Sequence, residues 1–408
     1  MPECFSKERP SFIYTHVKYD LSIEDHALAS QLPKMSSRPS VKANPTEFHP
    51  LARRPDAPKK LDDYLYSDEP QLSLHIVSFK DATLVSLTWP HTFFDAIGLS
   101  ALFNAWTLVL CGQEDQVPPL HGFNIDPLAN LGASSTAQYV LANRQIRGLR
   151  MLLFAARYVF ELLWWHKVEK HIVCLPHSYL QTMKNTAIQE LATQDHSESK
   201  PFLSDGDVIC AWWTRLAIQY MPPTSTRLIV IINAYCLRGV LAKDLLPRGT
   251  VYMSNAVLRV FAFLPSYQIF QKPLSFVAAQ IRRSIQEQGT RSQIEAFAAL
   301  SQKAISKTGH APIFGDSSAQ MIIFSNLSKG KFFDIDFSST VIEQGIPLKK
   351  RANTLGRPSY IHSNMHINGF PKRNTFVILG KDAANNYWFS GIMHASVWRK
   401  VEEDFAAM

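Results

Sequence analysis

The chain has 408 residues, of which 46% are hydrophobic and 19% charged, and it carries a formal net charge of +8. That much apolar material exceeds what one core usually serves, so it predicts two domains and excludes both a small stapled module and an extensively disordered chain. The positive balance favours anionic small molecules or a membrane surface as partners. Nucleic acid is disfavoured, because the basic residues are scattered and the longest basic cluster is only Lys349, Lys350 and Arg351. Five cysteines, Cys4, Cys111, Cys174, Cys210 and Cys236, give neither a CxxC metal pair nor a disulfide framework, which fits a reducing compartment. The start, MPECFSKERPSF, has no apolar leader core, so the expected location is the cytoplasm.

Taken in order, residues 33–70 are rich in proline and charge and read as an irregular surface segment. Two runs follow, LSLHIVSF (72–79) and ATLVSLTW (82–89), whose β-branched and aromatic content predicts a hairpin. Pro90 ends the second run. Ala96, Leu99, Leu102, Phe103 and Trp106 then recur at helical spacing until Gly112, predicting a buried helix over 92–111. A longer helix is expected over about 136–166. Its stretch LRMLLFAARYVFELLWW (149–165) is about one membrane thickness long, but Arg150, Arg157 and Glu161 argue against a span. It reads as a core or interdomain helix, with rest on a membrane surface as the alternative.

Beyond it the pattern predicts a strand at 171–175, a helix at 178–191 and a helix over 208–221 opened by a near capping box, Ser204 and Asp207. Strands follow at 227–235 and 251–263, amphipathic helices at 274–288 and 291–306, and strands at 320–325, 331–337, 358–367, 374–380 and 386–393. There is no internal repeat. Interleaved strands and helices in both halves predict an α/β fold with mixed sheets flanked by helices.

The first chemical candidate is His91-Thr-Phe-Phe-Asp95. An imidazole suits base chemistry near neutral pH, and an Asp four residues on can anchor the turn that holds it. The same HxxxD spacing occurs at His16 and Asp20, but that stretch is polar and no helix follows, so His16 reads as a solvated histidine. His91 sits where an apolar strand meets a helix, a junction that exposes a side chain on a rigid scaffold. A core histidine at that corner is the bland alternative. His362 and His366 fit a half-polar strand better than a metal pair. HExxH, GxSxG, GxxxxGK[ST] and GxGxxG are all absent from the sequence.

The string LTWPHTFFDAIGLSALFNAW resembles the HxxxD region of the BAHD acyltransferases, particularly fungal enzymes that acylate hydroxyls of natural products. LSDGDVICAWWTRL (203–216) is similar to the helix opening the family's second half, and LRGVLAKDLLPRGTVYMSNAV (237–257) to its Arg-containing strand and "GN" turn. The second family signature, DFGWG, falls on Asp336-Phe337-Ser338-Ser339-Thr340, where only the first two residues match. The resemblance covers about residues 60–400 and implies a first domain shortened at its start.

What it implies is a fold of two chloramphenicol-acetyltransferase-like domains, residues 1–166 carrying HxxxD and residues 167–408, with a channel between them. An acyl-CoA, acetyl-CoA first, would enter one side as co-substrate and a lipophilic small-molecule alcohol the other. No bound cofactor and no metal are implied, and the family is often monomeric. His91 is the implied catalytic base; Asp95, Arg238 and Asp336 are implied structural residues, with Arg238 pairing Asp95. Arg282, Arg283, Lys303 and Lys307 read as a solvated face, the alternative being contact with CoA phosphates. Two rival readings stay open. One is a condensation-like amide-forming domain, opposed by Pro90 and Ala96 where HHxxxDG requires His and Gly; the other is a non-catalytic relative acting as a binding protein.

Overall fold

The structure, a computed structural model, describes residues 5–7, 9–194, 200–342, 354–364 and 373–408. It contains two sheets. In chain order come β1 (Ile13–Lys18), β2 (Ser40–Val41), the short helices α1 (His49–Ala52) and α2 (Asp62–Leu65), β3 (Ser73–Ser78), β4 (Thr83–Thr88) and α3 (Ala96–Leu110). Next are α4 (Leu149–Trp164), β5 (Val168–Leu175), α5 (His177–Gln194), α6 (Asp205–Ala217), β6 (Leu228–Cys236), β7 (Val257–Pro265) and α7 (Ser266–Gln271). The chain ends with α8 (Leu274–Gln288), α9 (Arg291–Thr308), β8 (Gln320–Asn326), β9 (Thr375–Lys381), β10 (Tyr387–His394) and α10 (Ala395–Ala406).

The smaller sheet is β1-β3-β4: the expected hairpin β3–β4 is antiparallel, and β1 joins β3 in parallel. The larger runs β2-β5-β10-β9-β8-β6-β7, with parallel pairings only at β6–β8 and β8–β9. Strand alternation gives this sheet two apolar faces. Ile229 and Ile231 of β6 turn to a core shared with α5, α6, α8 and α10, where Trp213 and Trp398 are fully buried. Val230 and Ile232 turn to the opposite side, against Phe154 of α4, Phe297 of α9 and Phe314. The mixed α/β class with two helix-flanked sheets is as expected.

Several elements differ from the sequence reading, each for a local reason. β1 was not foreseen: its exposed, polar residues form a strand because β3 offers an open edge, and His16 stays exposed, bonded to the Ser78 hydroxyl at 2.9 Å. The helix expected over 136–166 begins only at Leu149, after Gly148 takes the left-handed region at φ 55°. Upstream, Ala142–Arg144 make only a 3₁₀ turn; Gln145 bridges to Phe314, and the Ile146 amide donates to the Ile313 carbonyl while its side chain is buried with Tyr139 beside Phe314, so tertiary packing overrides local propensity. No strand forms over 331–337: Lys331 adopts φ 47°, Phe332–Asp334 make one 3₁₀ turn, and residues 335–337 are irregular. Of the strand expected over 358–367, residues 358–364 are not strand, and the remainder, including His366, lies outside the described residues, as do Lys349, Lys350 and Arg351. The C-terminal helix α10 was also unforeseen.

Assigning residues 1–166 and 167–408 to two units stays a proposal, and the pairing qualifies it. Ser40–Val41 adds to the edge of the larger sheet through β5, and α4 packs on that sheet.

Near the β2 edge, residues 360–364 lay His362 against Phe48 and Tyr360. Burial first, then the charges of Lys170 and His49, push the His362 imidazole down to about 4. Its folded value thus lies below its unfolded one, so the stability it contributes is present above about pH 6.5 and is lost as pH falls towards 4. The loss amounts to on the order of 3 kcal/mol. Urea unfolding between pH 7 and 4.5 is expected to show this slope, and His362→Gln to flatten it; an unchanged slope in the variant would assign the acid limb to other groups.

Candidate active site

The site starts where β4 stops. Trp89-Pro90 ends the pairing because proline has no amide to donate. A tight turn follows in which the Phe93 amide donates to the Pro90 carbonyl at 2.9 Å, with His91 at its first corner. Trp89 closes this loop: its indole donates to the Phe94 carbonyl at 3.2 Å, and its ring stacks on the buried Phe94 at 5.1 Å. The chain then enters α3, shorter at its start than the predicted 92–111, because residues 91–95 are committed to the turn and cap.

Asp95 caps α3. Its Oδ1 accepts from the amides of Ile97 and Gly98 at 3.0 and 2.9 Å, the usual way a carboxylate satisfies the first free amides of a helix. Arg238 lies in the turn just beyond β6, not within the strand as the resemblance implied. It reaches Asp95 with both ends of its fork, Nη1 to Oδ2 at 2.9 Å and Nη2 to Oδ1 at 3.0 Å. The Ala256 amide donates to Oδ2 at 2.9 Å. Asp95 therefore accepts five hydrogen bonds on a carboxylate that is 4% exposed. A carboxylate has about four lone-pair directions, so none remains for His91. Arg238 directs its other contacts to the carbonyls of Tyr252 and Ser254, which fixes the 252–256 turn.

That turn holds His91 in return. Asn255 Nδ2 donates to the His91 carbonyl at 2.9 Å, while the His91 side chain is exposed and bonds to no described residue. Backbone meets backbone at Gly98, where an added Cβ would lie 2.0 Å from the Met253 carbonyl oxygen, so no larger residue fits. Tyr252 ties in a further loop: its hydroxyl donates to Asp126 at 2.8 Å, and burial followed by that carboxylate pushes the phenol up to about 12.

A second seam joins α3 to the loop after β8. Ser100 donates to the Gly330 carbonyl at 2.7 Å, and Phe103 and Trp106 meet Phe337 edge to face. Phe94, Leu99, Phe332 and Ile335 form the buried centre of this contact. Asp336 stands apart. Half-exposed, it accepts from the Ser338 amide at 2.8 Å and lies 3.9 Å from Arg357, and the Ser338 hydroxyl and amide hold its carboxyl below the usual range. It bonds to none of His91, Asp95 or Arg238, so its neighbours, not its carboxylate, connect this segment to the site. With Phe332–Asp334 in a 3₁₀ turn and residues 335–337 irregular, no strand runs through Asp336.

Sequence reasoning thus grouped His91, Asp95 and Arg238 but missed Gly98, Asn255 and the Ala256 amide; the only signal for the last two was the "GN"-like segment. Arg282 is corrected as well. It is not a solvated residue but bonds to Asp207 and to the Ser204 hydroxyl, the two members of the α6 capping box, while Arg283, Lys303 and Lys307 are exposed. Among the described residues no group of three or more His, Cys, Asp or Glu gathers as a metal site.

With this geometry in view, similarity to known proteins is informative. The sequence model of the transferase family matches residues 57–341. The chain belongs to that family, the BAHD acyltransferases. It is 40% identical over 405 residues to the transcriptional regulator calD of Penicillium decumbens, covering 99% of this chain and 82% of that one. Acetyltransferase sphE of Aspergillus fumigatus is 38% identical over 427 residues, covering 100% of this chain and 82% of the other. In three dimensions the fold resembles F. sporotrichioides TRI101, crystallised with coenzyme A and T-2, with a TM-score of 0.66 and 14% identity over 98% of this chain and 81% of that one. The BAHD chain described here thus has the two-sheet acyltransferase fold.

Two variants probe the clamp. Asp95→Ala leaves Arg238 and three backbone amides without their acceptor and is expected to cost about 3–5 kcal/mol, read as a lower denaturation midpoint. The double variant with Arg238→Ala is expected to lose less than the sum of the singles; strict additivity would argue that the two groups do not interact. Gly98→Ala should destabilise comparably through the clash with Met253.

Proposed function

We propose that the protein transfers an acyl group, acetyl first among them, from acyl-CoA to a hydroxyl of a fungal secondary metabolite, with His91 as the general base. One observation carries this reading. The His91 backbone is pinned from both sides, by the Pro90–Phe93 turn and by Asn255, while its imidazole is exposed and bonds to none of the described residues. Asp95, saturated by five donors, is excluded as a proton relay and is assigned a structural role with Arg238. Asp336 is proposed as a structural residue of the α3 seam.

In this mechanism acceptor and thioester approach His91 along a channel between the two sheets. The imidazole takes the hydroxyl proton as the oxygen attacks the thioester carbonyl, and the C–O bond forms with a tetrahedral oxyanion. Collapse breaks the C–S bond, and the thiolate takes the proton back from the imidazolium, giving ester and free CoA. No acyl-enzyme, metal or resident cofactor enters. Relatives named acetyltransferase and O-acyltransferase, and the coenzyme A bound to TRI101, support the donor class. A lipophilic terpenoid, meroterpenoid or alkaloid alcohol is the proposed acceptor class, and a cytoplasmic monomer the proposed working form.

The second reading, a non-catalytic relative acting as a binding protein, is favoured by the DFSST sequence at 336–340 and by the name of the 40% identical relative. The experiment that separates the two begins with a thermal-shift titration against acetyl-CoA, malonyl-CoA and longer acyl-CoAs. Saturable binding stabilises the native state by about 2.7 kcal/mol at a hundredfold excess over Kd. Acyl transfer from labelled acetyl-CoA to a panel of fungal alcohols is then measured. His91→Ala should keep the shift and lose about 10²- to 10⁴-fold in turnover; turnover that survives the substitution would overturn His91 as base, and a shift without any turnover would favour the binding protein.

A further inference from the structure

α4 is apolar on both sides. Residues 151, 154, 158, 161 and 165, at helical spacing, line the side turned to the protein, where Phe154 is buried with Met151 against the larger sheet. The other side packs on nothing described. Leu149 is 72% exposed, Leu152 67%, Leu153 53%, Phe160 60%, Leu163 73% and Trp164 70%. At 100° per residue these six fall within one continuous stripe along a 16-residue helix, a length of about 24 Å. An apolar stripe of this extent is far from the scattered single exposures normal on a soluble surface.

The charges around it have one sign. Arg150 and Arg157 flank the stripe along one edge, Arg147 precedes the helix and Lys167 follows it, and all four are exposed. The helix has a single acid, Glu161, and it is turned inward, where it pairs with Arg227 at 2.6 Å and with Arg373. Arg157 approaches the same carboxylate at 3.4 Å while remaining half-exposed. Among the described residues no helix is long and apolar enough to cross a membrane, so the stripe suits a helix lying in the interfacial plane. Trp164 at its end has the amphipathic ring that favours the headgroup level.

We propose that the outer face of α4 docks on an anionic phospholipid membrane surface. The apolar stripe enters the headgroup boundary, and Arg147, Arg150, Arg157 and Lys167 meet lipid phosphates and carboxylates. Charge selects this occupant over a second copy of the chain, because a two-fold contact through the stripe would bring the same cations against each other. The proposal is independent of the acyl-transfer chemistry.

The test is flotation of the purified full chain with vesicles of phosphatidylcholine alone and of phosphatidylcholine with phosphatidylserine, at low and physiological salt. Wild type is expected to float with the anionic vesicles and to lose binding with salt. The variant Leu152→Glu/Phe160→Glu/Leu163→Glu should abolish flotation, and Arg150→Gln/Lys167→Gln should weaken it by about fivefold per cation removed. Because the substituted side chains are exposed, unchanged circular dichroism and melting are expected; Leu149→Ser/Leu153→Ser serves as the milder second variant should the triple misfold. Absence of wild-type flotation, equal binding to neutral and anionic vesicles, or binding indifferent to both apolar variants overturns the proposal. A dimer in sedimentation velocity that the same apolar variants dissolve would assign the face to a second copy instead.

Discussion

The buried ion pair of Asp95 with Arg238 is the constraint on which the rest of the site depends. Removing two charges from water is costly, and such a pair is sustained only when its remaining hydrogen-bonding capacity is met. Here it is met on both partners. Asp95 takes the fork of Arg238 and three backbone amides, and Arg238 adds the carbonyls of Tyr252 and Ser254. Three structural units converge on one carboxylate: the start of α3, the turn after β6 and the turn before β7. Any one of them moving would strip the buried pair of hydrogen bonds, so the network ties the three units together.

Rigidity at Asp95 is what gives His91 its character. The loop between Pro90 and Asp95 is too short to wander, and both of its ends are fixed, one by the proline that ends β4 and the other by the cap of α3. Asn255 holds the His91 carbonyl from across the clamp. Orientation in an enzyme site is worth orders of magnitude in rate, and under the proposed mechanism it would come from these backbone contacts, which leave the imidazole unbonded among the described residues. The aromatic seam of Phe103, Trp106 and Phe337 packs α3, the helix carrying the clamp, against the segment after β8.

The larger sheet organises the remainder. Its strand alternation demands cover on both faces, and the chain meets that demand unevenly. One face receives α5, α6, α8 and α10; the other receives α9, the 139–146 segment and only the inner side of α4. Burying the inner side of α4 while leaving its outer stripe in solvent is unfavourable unless something else meets that stripe, and its cationic border defines the chemistry of what would.

Much of the fold was legible in the residues themselves. Helical spacing marked α8 and α9 almost to the residue, strand-forming runs marked β6, β9 and β10, and Ser204 with Asp207 announced the capping box that opens α6. These are local properties, set by propensity and by neighbours a few positions away. HxxxD with its strand-to-helix context pointed to His91 and Asp95 for the same reason. Tertiary structure decided what depends on distant partners. β1 exists because β3 has an open edge, the helix expected from 136 is displaced because Ile313 and Phe314 receive Gln145 and Ile146, and no strand forms at 331–337 because Lys331 enters the left-handed region. Arg238 reaches Asp95 across 143 positions, and the five donors that fill that carboxylate come from three separated segments, a convergence that no spacing rule encodes because chain folding alone brings them to one point.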